Sequence, residues 1–195
     1  PFSTTRSAVN APMIRPGLAR TSSAASGLRF CGMIDEPVVN LSLSVTNWNC
    51  AEHHRTISSA SRERCVAQIA AAFQAVPVGD PASPGTFVGP VVSAQQKRRV
   101  LEACEQARRD GAEIITGGGS FDNLPDYLAG GNFVQPTVIT GVDNSAAIAQ
   151  QEIFGPVLVI IGFRDDDEAV RIANESAYGL AGAVLSSSAE RGVGV

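Results

Sequence analysis

The chain has 195 residues, of which 44% are hydrophobic and 17% charged, so its composition indicates about one globular domain and excludes wholesale disorder. Its net charge of −4 excludes the basic surface that is typical of nucleic-acid-binding proteins. The longest apolar run, Val157–Phe163, is far shorter than the roughly 18 residues that a membrane-spanning helix needs, so we expect no membrane association.

The amino-terminal segment differs in composition from the rest of the chain. Residues 1–34 contain four arginines and no acidic residue, and they are rich in serine and threonine. This composition is typical of an organellar transit peptide, but we favour the interpretation that the segment has no targeting role. Because no sustained apolar periodicity is present, we expect residues 1–47 to be poorly ordered or loosely attached to the remainder.

Regular structure is predicted from about residue 61 onward. Apolar residues at helical spacing predict a helix that ends before Pro77, and its buried face consists of Val66, Ile69, Ala70 and Phe73. A loop rich in proline and glycine follows. Ser93 and Gln96 then have the spacing of a capping box, which predicts the start of a second helix. Gly111 lies where a glycine ends such a helix.

A glycine-rich stretch follows the first predicted strand, Glu113–Thr116. Three glycines at 117–119 could indicate a phosphate-binding loop, but no capped helix comes after them, so a plain turn is favoured. Residues 133–142 are predicted to form a strand, and residues 146–150 a short helix.

The carboxyl-terminal part predicts further alternation of strands and helices. Val157–Phe163 has the continuous apolar character of a buried strand. Residues 165–167 are three aspartates, which we interpret as a helix start that matches the helix dipole rather than as a metal site. Val170, Ile172 and Ala173 are the predicted buried face of that helix. A strand at 179–185 and a last helix capped by residues 186–188 complete an α/β architecture.

Four segments, in order, carry a resemblance to the aldehyde dehydrogenase family. Residues 78–96 match its pattern VGDP…T..GP..S..Q, and residues 131–138 match its glycine, aromatic and PTV strand. Residues 150–157 read QQEIFGPV and match the EEIFGPV box, and residues 173–181 contain its asparagine and YGLA element. The resemblance implies an incomplete aldehyde dehydrogenase catalytic domain over residues 48–195.

The resemblance implies a cofactor role for two residues of the EIFGPV box. In this family the glutamate accepts hydrogen bonds from the nicotinamide ribose, and the phenylalanine packs beside the nicotinamide ring of NAD or NADP. These positions are Glu152 and Phe154 here. The structural alternative is that Phe154 is a core residue and Glu152 a solvated loop acid.

The nucleophile that the resemblance implies is Cys50. Family members attack the aldehyde with a cysteine thiolate, form a thiohemiacetal and then a thioester, and release a carboxylic acid. Arg55 and the distance onward to Gly79 agree with the family. Residues 46–49 read TNWN where the family has a Gly-Gln element, which puts the turn that presents the thiolate in doubt.

The cysteines and histidines allow a second chemistry. The four cysteines are irregularly spaced and too few for a disulfide framework, which favours reduced thiols in a cytoplasmic protein. Cys50 and Cys65 could bind zinc together with His53 and His54, or Cys50 and His54 could form a thiol hydrolase pair. Adjacent histidines suit neither arrangement, so we predict no metal site. Cys31 and Cys104 carry no functional signal.

The family's dinucleotide-binding half has no counterpart in residues 1–49. We therefore expect the chain to be inactive alone, as part of an enzyme that acts on a small aldehyde and forms homo-oligomers. The alternative is a catalytically dead remnant that acts as an interaction or folding module.

Overall fold

The computed structural model of the chain describes residues 30–35, 53–58, 62–178, 181–186 and 188–194. Its strands are β1 (Phe30–Asp35), β2 (His53–Ser58), β3 (Glu113–Thr116), β4 (Thr137–Thr140), β5 (Val157–Phe163) and β6 (Ala181–Ser186). Its helices are α1 (Arg62–Gln74), α2 (Ala94–Arg109), α3 (Ala147–Gln150), α4 (Asp166–Asn174) and α5 (Ala189–Gly194), and Asp126–Leu128 form a short 3-10 turn. This mixture of strands and helices confirms the predicted α/β class.

The described strands form one sheet in the order β3-β4-β5-β2-β1-β6. Every pairing between neighbours is parallel except that of β3 with β4, which is antiparallel. Parallel neighbours need crossover connections, and the helices α1 to α4 pack against the faces of the sheet. β2 and β5 pair with His53 opposite Leu158, so both strands begin at the same edge of the sheet.

The core lies on both faces of β5, which occupies the predicted residues and is buried along its length except at Gly162. Its side chains alternate between two hydrophobic clusters. Val157, Val159, Ile161 and Phe163 pack with apolar residues of α2, α3 and α4, whereas Leu158 and Ile160 pack with Val66, Ile69 and Phe73 of α1. The sheet is therefore covered by α1 on one face and by α2, α3 and α4 on the other.

The first two helices match their predicted limits, and α1 also matches its predicted buried face. The buried residues of α1 are the four that the apolar spacing predicts. Ser93 caps α2, because its Oγ accepts a hydrogen bond from the backbone N–H of Gln96 at 3.1 Å. At the other end, Gly111 has φ +92°, and Ala112 N donates to Ala107 O at 2.9 Å, which completes a glycine C-cap. No helix among the described residues is long and apolar enough to cross a membrane.

The strand predicted over residues 133–142 is shorter in the structure. Only Thr137–Thr140 form β4, although Val134 makes an isolated bridge with Ser120. Pro136 interrupts the strand because it has no N–H to donate to a neighbour. Gly141, with φ +74°, ends it at the other side. The strand predicted from the apolar pattern alone was therefore too long.

The three glycines after β3 form a tight turn against the next strand. Gly117 and Gly118 have φ of +77° and +84°. A Cβ atom on Gly117 would lie 2.4 Å from the carbonyl oxygen of Pro136. The backbone N–H of Gly118 already donates to Thr137 Oγ1 at 2.8 Å. The positive φ of Gly117 and Gly118 and the close approach of Gly117 to Pro136 thus explain why glycine occupies these positions. This agrees with the predicted plain turn.

The aspartate run lies at the start of α4, as predicted. Asp165 is the N-cap, and its carboxylate accepts a hydrogen bond from the backbone N–H of Glu168 at 2.8 Å. Ala169 and Ile172 are the buried residues of this helix, whereas the predicted Val170 and Ala173 are only half-buried. The prediction of the buried face was therefore right for Ile172 and wrong for the other two positions.

Strand β1 lies within residues 1–47, for which poor order is predicted from the sequence. It pairs in parallel with β2 on one side and with β6 on the other. Two flanking strands satisfy its backbone hydrogen bonds, which a short segment cannot do by itself. The structure thus gives these six residues a regular place in the sheet. The rest of residues 1–47 lies outside the described residues.

Candidate cofactor site

The turn that leads into β5 has an unusual backbone. Phe154 has φ +52°, and it is the only residue other than glycine with positive φ in the described part of the chain. For a bulky side chain this conformation costs on the order of 1–3 kcal/mol, so other contacts must hold it. The Phe154 side chain is 53% exposed, which excludes the alternative that it is a core residue.

The residues after Phe154 pack against α2 and β4. A Cβ atom on Gly155 would lie 2.6 Å from Val100 Cγ2, so only glycine allows this approach to α2. Thr137 N donates to the carbonyl of Pro156 at 2.8 Å, which joins the turn to the start of β4. The turn is therefore fixed against two elements of the core.

Gln96 holds the turn from the other side. Its Nε2 donates to the carbonyl oxygen of Ile153 at 2.6 Å and to that of Phe154 at 3.2 Å. The capping-box spacing predicts instead that this side chain returns to the start of its own helix. Only half of that box forms, namely the bond from the Gln96 backbone to Ser93. Sequence reasoning identified Gln96 as a cap and missed its contact with the turn.

Glu152 lies on the same turn, two residues before Phe154. Its side chain is half-buried, and within the described residues its carboxylate has no hydrogen-bond or ion-pair partner. Ile153, between the two, is 8% exposed and packs into the core with Val157. The turn therefore presents the Glu152 carboxylate and the Phe154 ring on either side of the buried Ile153 side chain.

Cys50 lies outside the described residues, as do residues 46–49. The strand that follows it, β2, begins at His53 and pairs with β5. Since β2 and β5 are parallel and in register, the chain enters both strands at one edge of the sheet. The Glu152–Phe154 turn lies at this edge.

The two cysteine thiols that the structure describes, those of Cys65 and Cys104, are poor nucleophiles. Burial raises the pKa of the Cys104 thiol to about 11, and Cys104 is fully buried in α2. Burial also raises the pKa of Cys65, which is half-buried. Both thiols are protonated at neutral pH. The side chains of His53 and His54 lie outside the described residues, and the described ones contain no group of three potential metal ligands.

An open cleft of about 660 Å³ lies at the opposite edge of the sheet, after β4 and β5 end. Several of its charged lining residues are bound to other protein groups. Arg62 donates to Thr140 Oγ1 at 3.1 Å, and Arg171 forms an ion pair with Glu168 at 3.5 Å. This cleft is separate from the Glu152–Phe154 turn.

Comparison with known proteins agrees with this arrangement. The model of the aldehyde dehydrogenase family matches residues 38–195, whereas the domain boundary predicted from the sequence lies at residue 48. A candidate aldehyde dehydrogenase of Staphylococcus saprophyticus is 42% identical over 139 residues, which are 71% of this chain and 29% of that protein. The chain thus spans less than a third of the length of this relative.

Solved structures match the fold as well as the sequence. An aldehyde dehydrogenase of Mycobacterium tuberculosis in complex with NAD⁺ superimposes with a TM-score of 0.75 and 34% identity, over 86% of this chain and 36% of that one. Betaine aldehyde dehydrogenase of Staphylococcus aureus in complex with NAD⁺ gives a TM-score of 0.75 and 28% identity, over 85% and 34%. The family match over most of the chain, together with these structures, shows that the chain belongs to the aldehyde dehydrogenase family.

Proposed function

We propose that the chain is part of an enzyme that oxidises an aldehyde to a carboxylic acid with NAD⁺ or NADP⁺, and that its Glu152–Phe154 turn binds the nicotinamide end of the cofactor. The observation that carries this proposal is the strained turn, which leaves the Phe154 ring 53% exposed beside a carboxylate. Strain of this kind persists where function requires it. The NAD⁺ complexes of the related structures support the same assignment.

The two side chains suit the two parts of a nicotinamide nucleoside. The Glu152 carboxylate has two oxygens and can accept a hydrogen bond from each hydroxyl of a ribose diol. The flat Phe154 ring offers a surface against which a flat ring can pack. When bound, the cofactor supplies the hydride acceptor of the reaction. The role of the turn is to hold and orient it.

We propose Cys50 as the nucleophile. Its thiolate adds to the aldehyde carbon to form a thiohemiacetal, which becomes a thioester on loss of hydride, and water then releases the acid. Cys50 is three residues before His53, so the chain limits the distance between their Cα atoms to about 11 Å. This reach is compatible with a reaction at the edge of the sheet where β2 and β5 begin.

An NMR titration of the chain with nicotinamide mononucleotide tests the cofactor assignment. This probe carries the ribose and the ring, which are the two groups that the Glu152–Phe154 turn is proposed to contact. We expect shift changes centred on the Glu152–Phe154 turn, with a dissociation constant in the millimolar range or weaker. Glu152→Gln weakens the binding, because an amide replaces one acceptor oxygen with a donor.

Glu102→Gln is the matched control, since Glu102 is an exposed acid on α2 that receives the same substitution. We expect Glu102→Gln to show the same shift changes and the same affinity for nicotinamide mononucleotide as the wild type. Shifts that spread over the surface, or that are equal in the wild type and Glu152→Gln, contradict the proposed site.

A further inference from the structure

The Gln96 amide contacts both peptide groups that meet at Phe154. The carbonyl of Ile153 belongs to the peptide group before Phe154, and the carbonyl of Phe154 belongs to the one after it. Gln96 Nε2 lies 2.6 Å from the first oxygen and 3.2 Å from the second. Since φ and ψ describe the rotation of these two groups about one Cα atom, a donor bound to both opposes a change in either angle.

The same face of α2 provides a second contact with the turn. Val100 is one helical turn after Gln96, and it packs against Gly155 so closely that a Cβ atom there would lie 2.6 Å from its Cγ2. Val100 is fully buried, and Ser93 caps the start of the helix. Gln96 therefore acts from a rigid helix end and not from a loop.

Core packing does not determine the direction of the Phe154 ring, because more than half of its surface is exposed. The direction follows from the left-handed backbone, and relaxation to an ordinary extended or helical backbone would turn the ring elsewhere. We infer that Gln96 is a positioning residue for the nicotinamide site: its side-chain amide holds Phe154 in the left-handed conformation that presents the ring. This inference rests on the proposed function of the turn.

The test compares Gln96→Glu with Gln95→Glu in the full 195-residue chain. Gln96→Glu keeps the length of the side chain but replaces its NH₂ donor with an oxygen that faces two carbonyl oxygens. Gln95→Glu places the same charge at the neighbouring exposed position of α2. Gln96→Ala, which removes the donor without adding charge, separates loss of the hydrogen bonds from repulsion.

Two measurements decide the outcome. The first is the backbone conformation of Phe154 without ligand, read from its HN–Hα coupling and its intraresidue HN–Hα Overhauser effect. The second is the affinity for nicotinamide mononucleotide, which a purely structural role would leave unchanged. The signals of β5 serve as the check that each variant is folded.

We expect the wild type and Gln95→Glu to keep the left-handed signature and the same affinity. Gln96→Glu and Gln96→Ala lose the signature, and their affinity falls about two- to tenfold, the equivalent of one hydrogen bond. Retention of the left-handed conformation in either Gln96 variant overturns the inference, and so does loss of the conformation with unchanged affinity. If the wild type shows no binding at all, the proposed function is wrong, and the conformation of Phe154 alone decides whether Gln96 positions it.

Discussion

The side-chain amide of Gln96 donates a hydrogen bond of 2.6 Å to the carbonyl of Ile153, a residue 57 positions later in the chain. This bond joins the first turn of α2 to the turn that precedes β5. Both segments belong to motifs that resemble the aldehyde dehydrogenase family, and the structure shows that they are in direct contact. Stability and binding measurements can therefore examine each part of the site separately.

Gly155→Ala is expected to destabilise the chain. The added methyl group would lie 2.6 Å from Val100 Cγ2, in a region with no room to relax, and such overpacking costs about 1–3 kcal/mol. Urea unfolding measures the loss. Gly85→Ala is the control, because no atom lies within 4 Å of a Cβ there. Equal stabilities of the two variants would show that the contact with Val100 is not tight.

Gly117→Ala is expected to cost more than Gly130→Ala, although both glycines have positive φ, +77° and +82°. The new methyl group would lie 2.4 Å from Pro136 O at position 117, whereas at position 130 it meets nothing within 4 Å. Gly130→Ala therefore measures the conformational cost alone, about 1–2 kcal/mol. Thermal unfolding that gives the same midpoint for both variants would contradict the close approach of the turn to β4.

Glu168 is expected to make stability depend on acid pH. Hydrogen bonds from the side chain and backbone N–H of Arg164 lower the pKa of Glu168 from 4.5 to about 2. A depressed pKa in the folded state adds stability above pH 4.5, and this stability is lost as the pH falls from 4.5 towards 2. Urea unfolding across this pH range should show that the free energy of unfolding falls more steeply with decreasing pH for the wild type than for Glu168→Gln.

Gln at position 168 still accepts the hydrogen bond from the Arg164 backbone, so the comparison isolates the charge. Arg164→Ala is the complementary variant, because it removes the side-chain hydrogen bond that lowers the pKa of Glu168 most, and it flattens the same part of the curve. Arg164 Nε lies 2.9 Å from Glu168 Oε2, and a wild-type curve that runs parallel to that of Glu168→Gln would refute this ion pair in solution.

Cys104 is expected to resist alkylation in the folded chain. With a pKa of about 11, only about one thiol in ten thousand is ionised at pH 7, and its burial excludes the reagent. Mass spectrometry after brief treatment with iodoacetamide should find Cys104 unmodified, and modified once urea is added. If Cys104 in the folded chain were alkylated as fast as the thiol of free glutathione, this result would contradict its position in the core.

The 195-residue chain by itself is expected not to oxidise aldehydes. It spans less than a third of the length of the Staphylococcus saprophyticus relative. Absorbance of NADH with short and aromatic aldehydes measures the activity, and Cys50→Ala is the comparison. Turnover that disappears in Cys50→Ala would show that the chain is a working enzyme.

The sequence predicts correctly those elements whose position depends on residues within the element itself. β5, the start of α4 and the caps of α2 follow from apolar runs and from single capping residues. The place of β1 did not follow, because its partners come from β2 and β6 and no residue within β1 specifies them. The contact of Gln96 was missed for the same reason, since its own helix offers a nearer partner.

The sequence indicates which residues form the candidate site, but it does not indicate their conformation. Resemblance to the family supplied Glu152 and Phe154, and the structure places both on one turn. The left-handed backbone of Phe154 could not be predicted, because an aromatic residue ordinarily avoids it. Contacts from two other elements impose that conformation, and the sequence of the turn alone contains no sign of them.

The strand order has a consequence for how the chain folds. β3, β4 and β5 are neighbours in sequence and in the sheet, so they can associate early. β1 and β2 lie near each other in sequence, but His53 of β2 pairs with Leu158 and Phe30 of β1 pairs with Ala181. Closing loops of this length costs entropy before any pairing compensates for it. We therefore expect folding to proceed from the β3–β5 side, with the sheet completed in a late and slow step when β1 and β2 join β5 and β6.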